Sequence, residues 1–400
     1  MTQRELALSG ENKISWVRHS MPVLEELEFR IPKTLFAGKK IGIVCHAEAK
    51  TAALALTLHR LGAEVYMTGS NPLTTKDDVI AYLKEMGVHA YGKFGCTMKG
   101  YKDCIRKIAS QNLDLFIDDG GDLTEYLRKH SEYCKNLIGG AEQTTTGINR
   151  LRQLEKDGQL FCPMVLTNDA KSKHLLDNVY GTGESVWSAI MIATNNMIAG
   201  KYVVVAGYGH CGRGVALRAK GLGAKVIVTE IDPHKALEAY FEGYQVMTME
   251  EASSVGDIFV TVTGESDVIR EEHLMRMKDQ VILANAGHFD VEISKKGLNH
   301  ISDYSYEAKP FITSYVNKDG SKTWNLLSEG RLVNISAGMG HPAEVMDTSF
   351  AAQLLALKYL LQAKRHPGLY NLPESSDRLI AYIKLHSLGI HIDSEEGSAL

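Results

Sequence analysis

The chain has no CxxC pair and no cysteine cluster. Its six cysteines (Cys45, Cys96, Cys104, Cys134, Cys162, Cys211) are scattered, which fits neither a disulfide framework nor a zinc site. It has no basic excess either. Its 44 Lys and Arg stand against 48 Asp and Glu, a net charge of −4, whereas a surface that neutralises nucleic-acid phosphates carries a strong positive balance. No apolar run approaches the roughly 18 residues that signal a membrane span. The opening MTQRELALSGENK lacks the basic-then-apolar order of a signal peptide. Internal repeats and low-complexity linkers are missing. What remains is 400 residues, 44% hydrophobic and 23% charged, the composition of an ordinary folded protein of two or three domains. The expectation is a reduced, cytoplasmic enzyme with a small-molecule substrate, no nucleic-acid or membrane partner, and no metal.

Past an amphipathic stretch around 16–27, apolar runs alternate with helical patterns. Strands are expected at 40–45 (KIGIVC), 63–68 (AEVYMT) and 113–118 (LDLFID), with helices at 51–61 and 75–86. Such runs, bounded by Gly and Asp and separated by helices, imply a parallel sheet covered on both faces. A second series opens with a helix at 184–198. Strands follow at 202–206 (YVVVA), 225–229 (KVIVT), 257–261 (DIFVT) and 280–284 (QVILA), and a long helix at 343–361. The fold class is α/β, with two doubly wound parallel-sheet domains.

Gly207-Tyr208-Gly209-His210-Cys211-Gly212 directly follows a strand and precedes a helix. The order matters because the three glycines do different things. The first makes the tight turn, the second lets backbone approach a pyrophosphate, and the third lets helix pack on strand. The helix N-terminus then offers its unpaired N–H groups to the anion. Glu230 comes at the end of the next strand, where a carboxylate accepts from both ribose hydroxyls and repels a 2′-phosphate. This predicts NAD rather than NADP.

The first domain is dense in polar groups. Asp118, Asp119 and Asp122 end a strand and open a helix; their mutual repulsion raises at least one pKa. Asp122 is the expected helix cap, which leaves Asp118 and Asp119 for proton transfer. Glu142-Gln143-Thr144-Thr145-Thr146-Gly147 forms another loop-to-helix junction, and capping needs only one of those threonines. Lys173 and Asp177, four apart, share a face if helical, either as a surface ion pair or as a site. His46 ends the first strand, where parallel sheets hold ligands; a lone histidine there is more often structural.

Together these segments resemble the S-adenosylhomocysteine hydrolase family. The resemblance is carried by Met21-Pro22, Leu61-Gly62-Ala63-Glu64-Val65, Asp118-Asp119-Gly120-Gly121-Asp122-Leu123-Thr124 and Thr144-Thr145-Thr146-Gly147. It continues through Asp177-Asn178, Tyr180-Gly181, the glycine loop, Gly287-His288-Phe289-Asp290-Val291-Glu292 and Gly340-His341-Pro342. It spans about residues 10–395, and the C-terminus resembles the family's shorter branch. The resemblance implies a substrate-binding domain at 1–182 and 342–375, an NAD-binding domain at 183–341, and a C-terminal helix and tail at 376–400. It also implies tightly held NAD, net hydrolysis of a homocysteinyl nucleoside, and a homotetramer. In the family's chemistry, oxidation of the 3′-hydroxyl acidifies C4′–H so that homocysteine is eliminated from C5′; water then adds and the alcohol is restored.

By resemblance, Lys173 assists 3′-hydroxyl deprotonation and Asp177 holds the ribose hydroxyls. Asp119 is the acid/base carboxylate near C4′ and C5′, and His46 stands near the leaving group. His288 is the second active-site histidine, and His341 is the gate residue of a His-Pro hinge. Thr144, Thr145, Thr146, Asn178 and Asn334 line the nicotinamide side of the cofactor, with Thr263 near it. Gln143 departs from the family's usual glutamate beside the ribose, and Thr182 and Glu265 stand where many members have cysteine. The purine-proximal segment is His46-Ala47-Glu48-Ala49-Lys50. A lysine only donates, so Lys50 suits the 6-oxo group of hypoxanthine, and this form resembles the branch that acts on S-inosylhomocysteine. Pairing of Lys50 with Glu48 is the alternative. Two other functions stay open: a lyase running the same 3′-keto cycle on another nucleoside, and a weakly catalytic NAD-binding regulatory paralogue.

Overall fold

The structure is a computed structural model and describes residues 2–393, so residues 394–400 of the expected C-terminal helix and tail lie outside the described residues. The chain forms two compact units, Met1–His174 with Ala343–Leu400, and Leu175–Pro342. The sequence reading put the division after residue 182 instead.

In the first unit, β1 (Lys40–Val44), β2 (Glu64–Thr68), β3 (His89–Ala90), β4 (Leu115–Asp118), β5 (Gly139–Glu142) and β6 (Pro163–Leu166) form a sheet with the late strand Gly368–Asn371. The order is Gly368–Asn371, β6, β5, β4, β1, β2, β3, and every pairing is parallel. The winding direction therefore reverses between β1 and β4, the position at which open α/β sheets leave a crevice at their carboxyl ends. β5 was invisible to an apolar-run reading because its sequence is Gly-Gly-Ala-Glu. The reason is steric: a Cβ on Gly140 would lie 2.5 Å from the Phe116 ring, which fills the space over that strand.

The expected single N-terminal amphipathic stretch is two helices, Gln3–Arg18 and Pro22–Arg30. Pro22, which has no N–H to give and a preset φ, starts the second. That helix has no side-chain cap of its own. Asp347, on the long helix Ala343–Gln362, supplies one from outside, accepting from Val23 N at 3.0 Å and Leu24 N at 2.8 Å. Lys384 Nζ stands 3.4 Å from the same carboxylate.

The second unit contains β7 (Tyr202–Ala206), β8 (Lys225–Thr229), β9 (Gln245–Val246), β10 (Ile258–Thr261), β11 (Val281–Asn285), β12 (Tyr304–Lys309), β13 (Ile312–Val316) and β14 (Thr323–Leu327). Its order is β12, β13, β14, β11, β10, β7, β8, β9. The six strands from β14 to β9 are parallel, with the same reversal, here between β7 and β10. β12 and β13 pair antiparallel at one edge, so this sheet is mixed rather than wholly parallel.

Burial pushes the Asp347 carboxyl up to about 6, against the pull of its two N–H donors and Lys384. A carboxyl whose folded pKa is raised contributes most below its unfolded pKa and loses that contribution as pH rises through about 6. Asp347→Asn, with nothing to titrate there, should therefore gain stability relative to the parent between pH 4 and 7, read by urea unfolding at each pH. A stability difference that stays flat over that range would refute the assignment.

Candidate functional site

In the first unit the parallel register puts Val44, Asp118, Glu142 and Leu166 in one row at the strand ends. Side chains alternate along a strand, so Asp118 and Glu142 share a face, and Asp119 and Gln143, the next residues, turn the other way.

Asp118 is fully buried. It accepts from Thr124 N and Thr124 Oγ1, each at 2.7 Å, and from Leu123 N at 3.4 Å. Asp118 thus serves the helix Asp122–Lys129 that Asp122 was expected to cap. The N-cap residue itself is Gly121, and Asp122 instead accepts from Tyr101 Oη at 2.8 Å and pairs with Arg150. The correction has a simple cause: a glycine in the left-handed region turns the chain one residue early, so the carboxylate that reaches the N–H groups comes from the strand end. Of the two acids left over for chemistry, only Asp119 remains.

Glu142 Oε1 accepts from Gly120 N, Thr144 N and Thr144 Oγ1 at 2.9–3.0 Å, tying the Asp119 loop to the threonine loop. Burial and the neighbouring Asp118 push the Glu142 carboxyl well above the usual range. Thr144 caps the helix Thr145–Lys156, accepting from Gly147 N at 3.1 Å. Its hydroxyl is thereby used on both sides. Thr145 Oγ1 accepts from Asn168 Nδ2 at 3.2 Å although the residue is exposed, while Thr146, the second residue of that helix, is half-buried.

His46 brings the reversal point together. Its Nε2 is 3.8 Å from Asp119 Oδ2 and its Nδ1 2.7 Å from Thr74 Oγ1. Ser70 Oγ donates to the same Asp119 oxygen at 3.4 Å. Burial, then the negative charge of Asp119, Asp118 and Glu142, raises the adjacent Cys45 thiol well above its ordinary value. Glu48 accepts from Lys50 N to open the helix Ala49–Arg60, and Lys50 Nζ, on a buried side chain, lies 3.0 Å from Oε2 of the part-exposed Glu48, the pairing expected as the alternative to a base-reading role. The segment Lys173–Gly181 is a π-helix rather than the α-helix the spacing suggested. Its turns close i→i+5, a geometry frequent at functional sites. Lys173, Asp177 and Asn178, all on it, are buried.

In the second unit, the glycine loop shows what each glycine is for. Gly207 has φ +102, and a Cβ on Gly212 would sit 2.0 Å from Gly207 O. Gly209 has an extended backbone, and a Cβ there would meet no protein atom within 4 Å. The space beside it is open. Glu230 accepts from Tyr208 N and Ile231 N at 2.7 Å and from Asp232 N at 3.0 Å, so the carboxylate expected to meet the ribose is braced by the glycine loop and its own turn. Asn334 Nδ2 donates to Ser185 Oγ at 2.9 Å, and its Oδ1 is buried with no partner, an acceptor suited to a carboxamide N–H. The clear space, the braced acid and the orphan acceptor fit a dinucleotide.

His288 follows β11 on a loop pinned by Asn285, whose Nδ2 donates to Gly287 O, Phe289 O and Gly330 O. Buried Glu292 accepts from Thr263 N, Thr263 Oγ1 and Gly264 N; the Thr263 hydroxyl thus braces its own loop. His341 Nδ1 lies 3.2 Å from Asp177 Oδ1, and its Nε2 lies 3.3 Å from the Thr182 hydroxyl. Asn285 and Thr74 were missed by sequence reasoning, and Glu292 was noted only as part of a motif: single polar residues in a strand end or loop carry no spacing signal.

Two family models match: the S-adenosyl-L-homocysteine hydrolase model over residues 2–133, and the model of that family's NAD binding domain over residues 178–340. The S-inosyl-L-homocysteine hydrolase of Methanocaldococcus jannaschii is 50% identical over 388 residues, covering 96% of this chain and 93% of the relative. The adenosylhomocysteinase of Thermotoga maritima is 49% identical over 390 residues, 96% of each. Among solved structures, a dipicolinate synthase subunit from Bacillus halodurans is similar in fold, with a TM-score of 0.53 at 14% identity over 82% of this chain and 100% of that one.

The glycines separate binding from folding. Gly209→Ala should change the melting of the NAD-stripped protein by less than about 1 kcal/mol while sharply reducing the NAD it retains. Gly212→Ala should destabilise the stripped protein itself by about 1–3 kcal/mol, as overpacking does. Dinucleotide released on denaturation, with melting curves of both stripped variants, tests this; equal NAD retention by Gly209→Ala and the parent would refute it.

Proposed function

Because the chain belongs to the S-adenosyl-L-homocysteine hydrolase family, we propose that it hydrolyses a homocysteinyl nucleoside thioether to nucleoside and homocysteine, and that the nucleoside is inosine. Bound NAD supplies oxidation of the 3′-carbinol and its later re-reduction, chemistry that no side chain offers. The chain's own residues supply the rest.

Lys173 removes the 3′-hydroxyl proton, and Asp177 holds the ribose hydroxyls. With the 3′-carbon at the ketone level, C4′–H is acidic, and Asp119 takes that proton. His46, with Nε2 facing Asp119, gives a proton to the departing sulfur; the same pair serves water addition in reverse order. Two proton transfers at different sugar carbons need two groups with different partners, and the pairing of His46 with Asp119 supports that division. His288 and His341 are the further histidines, and His341 reaches the substrate's hydroxyl end through Asp177.

The observation that carries the base assignment is Lys50. Its side chain is nearly buried, and its ammonium makes the Glu48 pair that was the alternative reading; that contact takes one of the ammonium's three donors and fixes where the other two lie. Every hydrogen it has is a donor, and the 6-oxo group of hypoxanthine accepts where the 6-amino group of adenine donates. Adenine is the second reading, since the relatives include enzymes named for each substrate. Assembly as a homotetramer and a cytoplasmic location belong to the same proposal.

Turnover of S-inosyl- and S-adenosyl-L-homocysteine at equal concentration decides the base: kcat/KM should favour the inosyl compound by at least about tenfold, the scale on which a donor facing a donor is rejected. A preference for the adenosyl compound would remove Lys50 from this role. Lys173→Ala should retain NAD yet lose the substrate-dependent near-ultraviolet absorbance of reduced dinucleotide. Survival of that signal would show that another group takes the 3′-proton.

A further inference from the structure

In the first unit a chain of hydrogen bonds with only one workable direction ends on Gln143. Thr167 Oγ1 lies 2.6 Å from the Glu142 carbonyl oxygen. At that separation the hydroxyl hydrogen must point at the carbonyl, which can only accept. With its one hydrogen committed, Thr167 Oγ1 meets Gln353 as an acceptor, so the Gln353 atom 2.8 Å away is its amide nitrogen. Turning that amide over would set two oxygens against each other with no hydrogen between them. The second Gln353 N–H points to Gln143 Oε1 at 3.4 Å. The Gln143 amide is therefore oriented as well, its oxygen toward Gln353 and its NH2 away.

Gln353 and Thr167 are buried, and Gln143 nearly so. The arrangement leaves Gln353 Oε1 buried without a hydrogen-bond partner. A glutamine kept only for packing has no reason to hold an unpaired acceptor, which an apolar side chain of similar volume would avoid.

Resting on the functional reading above, we infer that Gln143 faces the ribose as a hydrogen-bond donor, its NH2 held toward a sugar oxygen by Gln353, where a glutamate would accept instead. A donor on the 3′-oxygen favours the negative charge that grows there as Lys173 removes the proton, whereas a carboxylate opposes it. Gln353 is a positioning residue: it touches Gln143 and acts on the substrate only through it.

A double-mutant cycle on the NAD-containing enzyme tests this. Gln353→Met keeps the volume and removes both donors. It should lower kcat/KM by about five- to tenfold, the range of one lost oriented hydrogen bond, with NAD content unchanged. In a Gln143→Glu background the carboxylate has two equivalent oxygens and needs no orienting, so the same Gln353→Met change should cost less than about twofold. Gln143→Glu should also change the acidic side of the pH profile of kcat/KM relative to the parent, because it adds beside the ribose a carboxyl that titrates where the amide does not. An active parent in which Gln353→Met costs the same factor in both backgrounds, or nothing in either, overturns the inference alone. A parent that turns over neither S-inosyl- nor S-adenosyl-L-homocysteine overturns the functional reading and this inference with it.

Discussion

Loops at the carboxyl ends of parallel strands carry backbone N–H groups that no neighbouring strand can satisfy, and in this protein buried or half-buried carboxyls satisfy them. Asp118 holds Leu123 and Thr124, Glu142 holds Gly120 and Thr144, Glu230 holds Tyr208, Ile231 and Asp232, and Glu292 holds Thr263 and Gly264. The loops braced this way contain Asp119, the three threonines, the glycine fingerprint and Thr263. Charge-assisted acceptance is stronger than a neutral hydrogen bond and fixes geometry to match. It also carries a cost, since taking a carboxylate out of water disfavours its ionised form. Burial raises Asp118, Glu142 and Glu292 accordingly.

The same device divides labour among neighbouring acids. Asp118 and Asp119 are adjacent, yet the pleat sends one to the helix terminus and the other toward His46. Glu142 and Gln143 repeat the split on the next strand: Glu142 ties two loops, and Gln143 meets Gln353. In each pair the first residue, in the strand, is structural, and the second, just past it, is available for chemistry. The doubly wound order places both pairs on strands near the reversal point, where the sheet leaves its crevice.

Much of this was legible along the chain. Strands of consecutive Val, Ile and Leu announced themselves, and β7 and β8 fall where the runs end. The glycine loop was legible because its three constraints are local: turn, approach and packing all involve residues within one strand–helix unit. Other parts were hidden for equally physical reasons. β5 contains two glycines because Phe116 covers it, a fact about a different strand. The outside cap that Asp347 gives to Pro22–Arg30 joins residues more than 300 positions apart. The π-helix at Lys173–Gly181 has no composition of its own, and the apolar spacing around it suits an α-helix as well.

Residue order alone was enough for the fold class and the dinucleotide loop, because short-range sterics and chemical type are properties of residues and their immediate neighbours. Which acid of each adjacent pair is spent on backbone, which oxygen of His46's partner lies within reach, and which way the Gln143 amide turns all waited on the folded arrangement. Those depend on hydrogen-bond direction between strands and helices distant in sequence, and direction exists only once the groups face each other.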